Sequence, residues 1–235
     1  MTSEITRRAA LGFAGATSLT LLAACGSGTA INGSSSESSS AAKKDYKGEV
    51  KLEEYDTSAG TFEPATHDTP PKNVPKPIKP KNADEDSVAG LYSSIAFLGA
   101  AITYALLTGE VGPVNESALN EENRENFTSG FTLDKIREGK YWEAESKVVF
   151  FLETSEPTKE GDEYTWPYRG ISRYGAYYVE VENTSGNRKV SVHTIPSSKQ
   201  ESTTSGRIKA KHWVINFETD ESASPSASSS RSSSI

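Results

Sequence analysis

Catalysis needs groups that converge, and this chain of 235 residues offers few of the kinds that do so. Of its three histidines, His67 falls in a proline-rich stretch, while His193 and His212 fall on strand-like segments. If those strands were neighbours, the two imidazoles beside a carboxylate would suit a general base or a metal. A metal site, however, asks for three or more ligands at fixed geometry. Glu143, Glu145 and Glu153 share the outward side of one alternating segment. Paired carboxylates do acid–base work, but an alternating charged face is also what water requires of a half-buried strand. His-Glu-x-x-His, phosphate-loop, dinucleotide-binding glycine and Gly-x-Ser-x-Gly patterns do not occur. The sequence therefore assigns no catalytic residue and no metal ligand, and no cofactor is expected.

Aromatic residues are the better candidates. Tyr164, Trp166, Tyr168, Tyr174, Tyr177 and Tyr178 fall within fifteen residues, with Arg169 and Arg173 between them. On alternating strands half of these rings point away from the core. Exposed rings on a rigid sheet stack on sugars or anchor a partner, and the arginines suit an anion. Tyr92 and Tyr104 add rings to one face of an upstream helix. The expected ligand-binding set is Tyr92, Tyr104, Trp166, Tyr168, Tyr177 and Tyr178.

Thiol chemistry is confined to Cys25, the single cysteine. Arg7 and Arg8 precede an uncharged run from Ala9 to Ala24, and Leu22-Ala23-Ala24-Cys25 closes it with small residues before the thiol. Small side chains there let a peptidase reach the backbone. Over residues 1–25 the chain resembles bacterial lipoproteins. The resemblance implies cleavage before Cys25 and attachment of a diacylglycerol with palmitate-like chains to its sulfur. Two or more acyl chains anchor firmly, whereas one binds only marginally. The expected location is the extracytoplasmic face of the cell membrane. Thr6-Arg7-Arg8-Ala9-Ala10-Leu11 also resembles a twin-arginine export signal, with general secretion as the alternative route. A lipidated Cys25 leaves no thiol for a disulfide.

Net charge is −7, and residues 82–220 hold 14 Lys and Arg against 22 Asp and Glu. That balance argues against nucleic acid as a partner. Only 34% of the chain is hydrophobic, so order must be concentrated. Residues 1–24 read as signal peptide and 25–81 as a disordered tether. The tether begins with six serines in the seven residues Ser34 to Ser40. It ends with six prolines between Pro64 and Pro80, where polyproline II would make a stiff stalk about 50 Å long. Lys72, Lys76, Lys79 and Lys81 read as its solvated charges, or as contacts to anionic headgroups or wall polymers. Residues 221–235, with nine serines in fifteen, read as a disordered tail.

Residues 82–220 are expected to fold. Val88, Leu91, Ile95, Leu98, Ile102 and Leu106 step at helical spacing, and Gly109 suits the stop. The other face carries Tyr92, Phe97, Ala100, Ala101 and Tyr104. Such a helix is buried on both sides, lines a cavity, or spans a bilayer. Short helices are expected over 115–127 and 132–139. Strands are expected over 142–153, around Tyr164 to Tyr168 with Pro167 marking an edge or bulge, in a hairpin about Asn183 to Asn187, and over 208–217. Helices first and then four to five antiparallel strands make an α+β fold. A long helix across a curved sheet favours an NTF2-like cone.

The stretch Ala101-Ile102-Thr103-Tyr104-Ala105-Leu106-Leu107-Thr108-Gly109-Glu110 follows the proline-rich approach and the signal. In these features the chain resembles an uncharacterised family of actinobacterial lipoproteins, a likeness that implies no activity. The sequence reading is a lipid-anchored binding module of the cell envelope, for a small ligand or an envelope protein. Its alternative is an NTF2-like enzyme with an acid–base pair inside the cone. The enzyme requires a buried carboxylate or histidine in a pocket, and the binding module an apolar or aromatic concavity without one.

Overall fold

The computed structural model describes residues 44–184, 186–212 and 214–220. The expected export signal with Arg7, Arg8, Leu22, Ala23, Ala24 and Cys25, the serine run, Trp213 and the serine-rich tail lie outside the described residues. The fold is α+β, with antiparallel sheets that do not close on themselves.

Helix α1, Val88–Thr108, is the spine. The Ser87 hydroxyl caps it by accepting the Gly90 N–H, and Gly109 ends it at φ 76° with its own N–H bonded to the Ala105 carbonyl. Only glycine adopts that left-handed stop without a Cβ penalty. The helix is long and apolar enough to cross a membrane, yet Leu91, Ile95, Leu98, Ala101 and Ala105 are fully buried in the main core. Three short helices follow: α2, Gly112–Asn115; α3, Glu121–Thr128; and α4, Phe131–Arg137. The helix expected over 115–127 is thus split. Ser117 donates to the Val114 carbonyl, while Asn120 caps α3 through Asn123 N–H. Gly130 precedes α4.

The described residues form eleven strands, not four or five. The main sheet has the order β1 (Gly48–Glu49), β5 (Lys147–Leu152), β7 (Glu163–Arg173), β10 (Glu201–Lys211), β11 (Val214–Thr219), and β6 (Thr158–Glu160) also pairs with β7. Large residues face small ones across it. Phe150 opposes Gly170, Tyr168 opposes Gly206, and Tyr164 opposes Ala210. A second sheet joins β4 (Tyr141–Glu143), β8 (Tyr177–Thr184) and β9 (Asn187–Thr194), and β2 (Tyr55–Asp56) pairs with β3 (Lys76–Pro77).

Three strand expectations change. The segment 142–153 breaks at a bend before Lys147, sending Trp142 to one sheet and Phe150 to another. Residues 208–217 form a hairpin, turning at His212 with φ 48°. Pro167 is interior: its carbonyl accepts from Glu153 N–H at the point where β5 ends and before β6 begins. The N and C=O of a strand residue face the same neighbour, so proline leaves out the return bond to the Glu153 carbonyl, and the β5–β7 ladder ends at that pair.

The largest departure concerns residues 44–81. They do not stand off as a stalk but lie against the domain as an arm. Tyr46 packs edge-on to Trp166 at 6.0 Å, β1 pairs with β5, and Val50 N–H bonds the Phe150 carbonyl at 2.8 Å. Further along, Trp142 Nε1 donates to the Thr66 carbonyl at 2.7 Å and Tyr177 Oη to that of Ala65 at 3.1 Å. Lys72 pairs with Glu63 and Lys79 with Asp84, so these two lysines are used within the fold. Scattered Tyr46, Val50, Leu52 and Phe62 supply the apolar contacts that a serine- and proline-weighted composition conceals.

Candidate functional site

The apolar second face of α1 creates the site. One side of the helix meets β5 closely. A side chain at Gly99 would come within 3.2 Å of the Phe150 ring, and Thr103 Oγ1 donates to the Gly99 carbonyl while accepting Val148 N–H at 3.0 Å. That bond satisfies the outer edge of β5 where β1 gives out. The arm crosses the remaining face without filling it. Between arm, helix and β5 edge lies a cavity of about 660 Å³. Ala96, Gly99 and Ala100 form its floor, Tyr104 and Leu107 one end, and Leu52, Phe62, Val74 and Pro75 its cover. The small floor residues leave the room. The size falls within that of sites for small molecules.

Its charged groups sit at the rim. Glu49 pairs with Lys51 at 3.6 Å, both well exposed, and Lys147 is exposed. Among the described lining residues there is no histidine and no aspartate. Burial raises the phenols of Tyr55 and Tyr104 above the ordinary range, with Glu110 adding to the rise at Tyr104. They remain neutral at physiological pH. The arrangement is equipped to hold an apolar molecule in its middle, with Glu49, Lys51 and Lys147 at its edge.

The expected aromatic set is divided by the fold. Tyr104 lines this cavity, and Tyr92 lines an adjoining one of about 450 Å³. Trp166 and Tyr168 face the core instead. Trp166 is fully buried with Nε1 donating to the Thr154 carbonyl, and Tyr168 is wedged between Phe150 and Phe217. Tyr177 holds the arm, its ring 4.3 Å from that of His67. Tyr178 is stacked between Tyr141 and His193 on the three-stranded sheet. Among the described residues these rings form no continuous aromatic face. Arg169 pairs with Glu153 and Arg173 with Glu201, which uses the arginines read as anion ligands. Sequence reasoning placed Ala100 on the second apolar face of α1 but missed Ala96, Leu52, Phe62 and Val74. Small or scattered apolar residues carry no pattern until the arm is folded back.

The histidines do not converge. His193 lies 3.6 Å from Glu180 in the β4–β8–β9 sheet, and His212 lies 3.2 Å from Asp162 at the hairpin tip of the other. Nor do the three glutamates act together. Glu143 accepts from Tyr141 Oη at 2.8 Å and Ser146 Oγ at 2.5 Å, Glu153 pairs with Arg169, and Glu145 borders a cavity of about 360 Å³. Among the described residues, no group of three or more histidines and carboxylates is placed to hold a metal.

Burial, then the Glu143 hydrogen bond, pushes the Tyr141 phenol well above its usual range. The sign of the linkage follows. Below about pH 10 both folded and unfolded states keep the phenolic proton, so stability is unaffected. Above it the unfolded chain releases the proton while the folded chain retains it, and stability falls. Thermal melts from pH 7 to 11 should show Tm declining past about pH 10. Tyr141→Phe should make that decline shallower, and an unchanged slope would contradict the assignment.

The chain belongs to a family of unknown function (DUF6318), matched over residues 60–219. The match begins inside the arm, before α1. No curated protein and no solved structure matches the chain.

Proposed function

We propose that this member of a family of unknown function is a lipid-anchored, extracytoplasmic binding protein that takes a small apolar molecule between its arm and α1. The observation that carries the reading is the cavity of about 660 Å³, apolar in its middle and charged only at its rim. An enzyme of the NTF2-like kind needs an acid–base pair inside its cone, and the described lining supplies none. A long helix laid beside an open antiparallel sheet supports an NTF2-like half-cone, with the arm as its cover. The signal ending in Leu22-Ala23-Ala24-Cys25 supports anchoring through a thioether at Cys25. An envelope protein is the alternative partner.

Two measurements test this reading. In cells producing the full chain, Cys25→Ala should lose acyl label and leave the membrane fraction; unchanged membrane retention sinks the anchor. The full chain carrying Cys25→Ser should bind Nile red with a fluorescence rise and one-to-one stoichiometry. Ala100→Trp, which fills the floor, should abolish that rise. A rise that persists in the folded variant, or none in the parent, removes the cavity as the site.

A further inference from the structure

Resting on the cavity reading, we infer that the ligand is a single-chain amphiphile with a zwitterionic head group, a lysophospholipid drawn from the membrane leaflet. The central cavity is not isolated. It shares Lys51, Leu52 and Ala96 with the cavity of about 450 Å³ at Tyr92, and Phe62, Thr103, Leu107 and Lys147 with that of about 360 Å³ beyond. All three lie along one helix, from Ala89 to Leu107, a run of about 27 Å at 1.5 Å per residue. At the roughly 30 Å³ of a water-sized group, the central cavity alone has room for about twenty methylenes. That is room for one long acyl chain.

The end at Tyr92 differs from the middle. Lys44 and Lys81 line it together with Glu53 and Glu54, and none of the four makes an ion pair among the described residues. The Lys44 ammonium sits 5.1 Å from the centre of the Tyr46 ring and 5.9 Å from that of Tyr92. Those two rings lie 4.9 Å apart. A head group bearing one phosphate and one ammonium meets both needs. The lysines take the phosphate, while the glutamates and the tyrosine faces take the ammonium. A purely anionic head leaves the glutamates opposed, and an uncharged one leaves all four charges unused.

The test is displacement of Nile red from the full chain carrying Cys25→Ser, so that the protein's own lipid is not a competitor. Three palmitoyl probes are compared: 1-palmitoyl-lysophosphatidylethanolamine, palmitate and monopalmitoylglycerol. The lysophospholipid should displace the dye at a concentration about tenfold lower than either of the others. The double variant Lys44→Gln, Lys81→Gln, which removes the two phosphate partners, should erase that advantage over monopalmitoylglycerol. Equal potency of all three probes on the parent overturns the head-group assignment, as does an advantage that survives the double variant. Dye binding with no displacement by any probe overturns the acyl-chain assignment but leaves the cavity reading standing; absence of dye binding removes both. Lipidated parent chain that refuses the dye while the Cys25→Ser chain accepts it makes the occupant the protein's own lipid, which also overturns the proposal. If Ala100→Trp fails to fold by circular dichroism, Val74→Trp fills the same cavity from the arm and serves as the blocked control.

Discussion

A chain beginning at residue 82 should aggregate or melt far below a chain beginning at residue 44, although it keeps α1 and strands β4 to β11. Removing the arm strips the cover from Tyr92, Ala96, Ala100, Tyr104 and Leu107 on α1. A continuous apolar strip of that kind exposed to water is an aggregation site. The loss is polar as well. Trp142 is almost wholly buried, and its Nε1 loses the Thr66 carbonyl. A buried donor left without a partner costs about 1–3 kcal/mol. Tyr177 Oη loses Ala65, the Phe150 carbonyl loses Val50 N–H, and β5 loses its pairing with β1. Size-exclusion chromatography and thermal melts of the two chains decide the matter. Equal elution and equal Tm would restore residues 44–81 to the role of a stalk.

Trp166→Ala should lower stability by about 3–5 kcal/mol, the cost of emptying a large core site that relaxes only partly. The indole is fully buried, bonded to the Thr154 carbonyl and flanked by Tyr46. On a domain of this size that corresponds to a fall in Tm of roughly 10 °C. Trp166→Phe should cost less, since it keeps most of the apolar volume and forfeits the hydrogen bond. The pair of variants also separates two roles for this residue. A ligand-stacking tryptophan would lose binding with little change in Tm, whereas a core tryptophan loses Tm first. Retention of the parent Tm by Trp166→Ala would contradict its placement.

Helix α1 was legible because its signals are local: three- and four-residue apolar spacing and a glycine stop. Its doubly apolar character was legible too, and it pointed to a second covering layer. The identity of that layer was not. Tyr46, Val50, Leu52, Phe62 and Val74 are separated by charges, serines and prolines, so no period of two or 3.6 marks them. Their partners are far along the chain, as with Thr66 and Trp142. The aromatic cluster misled for a related reason. Alternation along β7 says that Tyr164, Trp166 and Tyr168 share a face, and the structure buries that face. The alternation with Glu163, Thr165, Pro167 and Arg169 already marked these three rings as the inward face, and only their grouping with Tyr177 and Tyr178 suggested a binding surface. The hairpin at His212 was missed because a non-glycine residue holds the left-handed position there. Tyr92 stands two turns before Gly99 on the stripe of α1 beside the β5 edge, and Tyr104 directly follows Thr103 of that stripe, so both border the cavities there.

The central claim is that the space beneath the arm is a ligand site, and native mass spectrometry of the full wild-type chain tests it most directly. The protein is isolated gently from its producing cell and compared with Ala100→Trp prepared in the same way. The account predicts one reproducible non-covalent added mass on the wild-type chain, of the size of a single-chain amphiphile, and its loss from the folded variant. A wild-type chain that carries no non-covalent mass, or an added mass retained in full by Ala100→Trp, would contradict it.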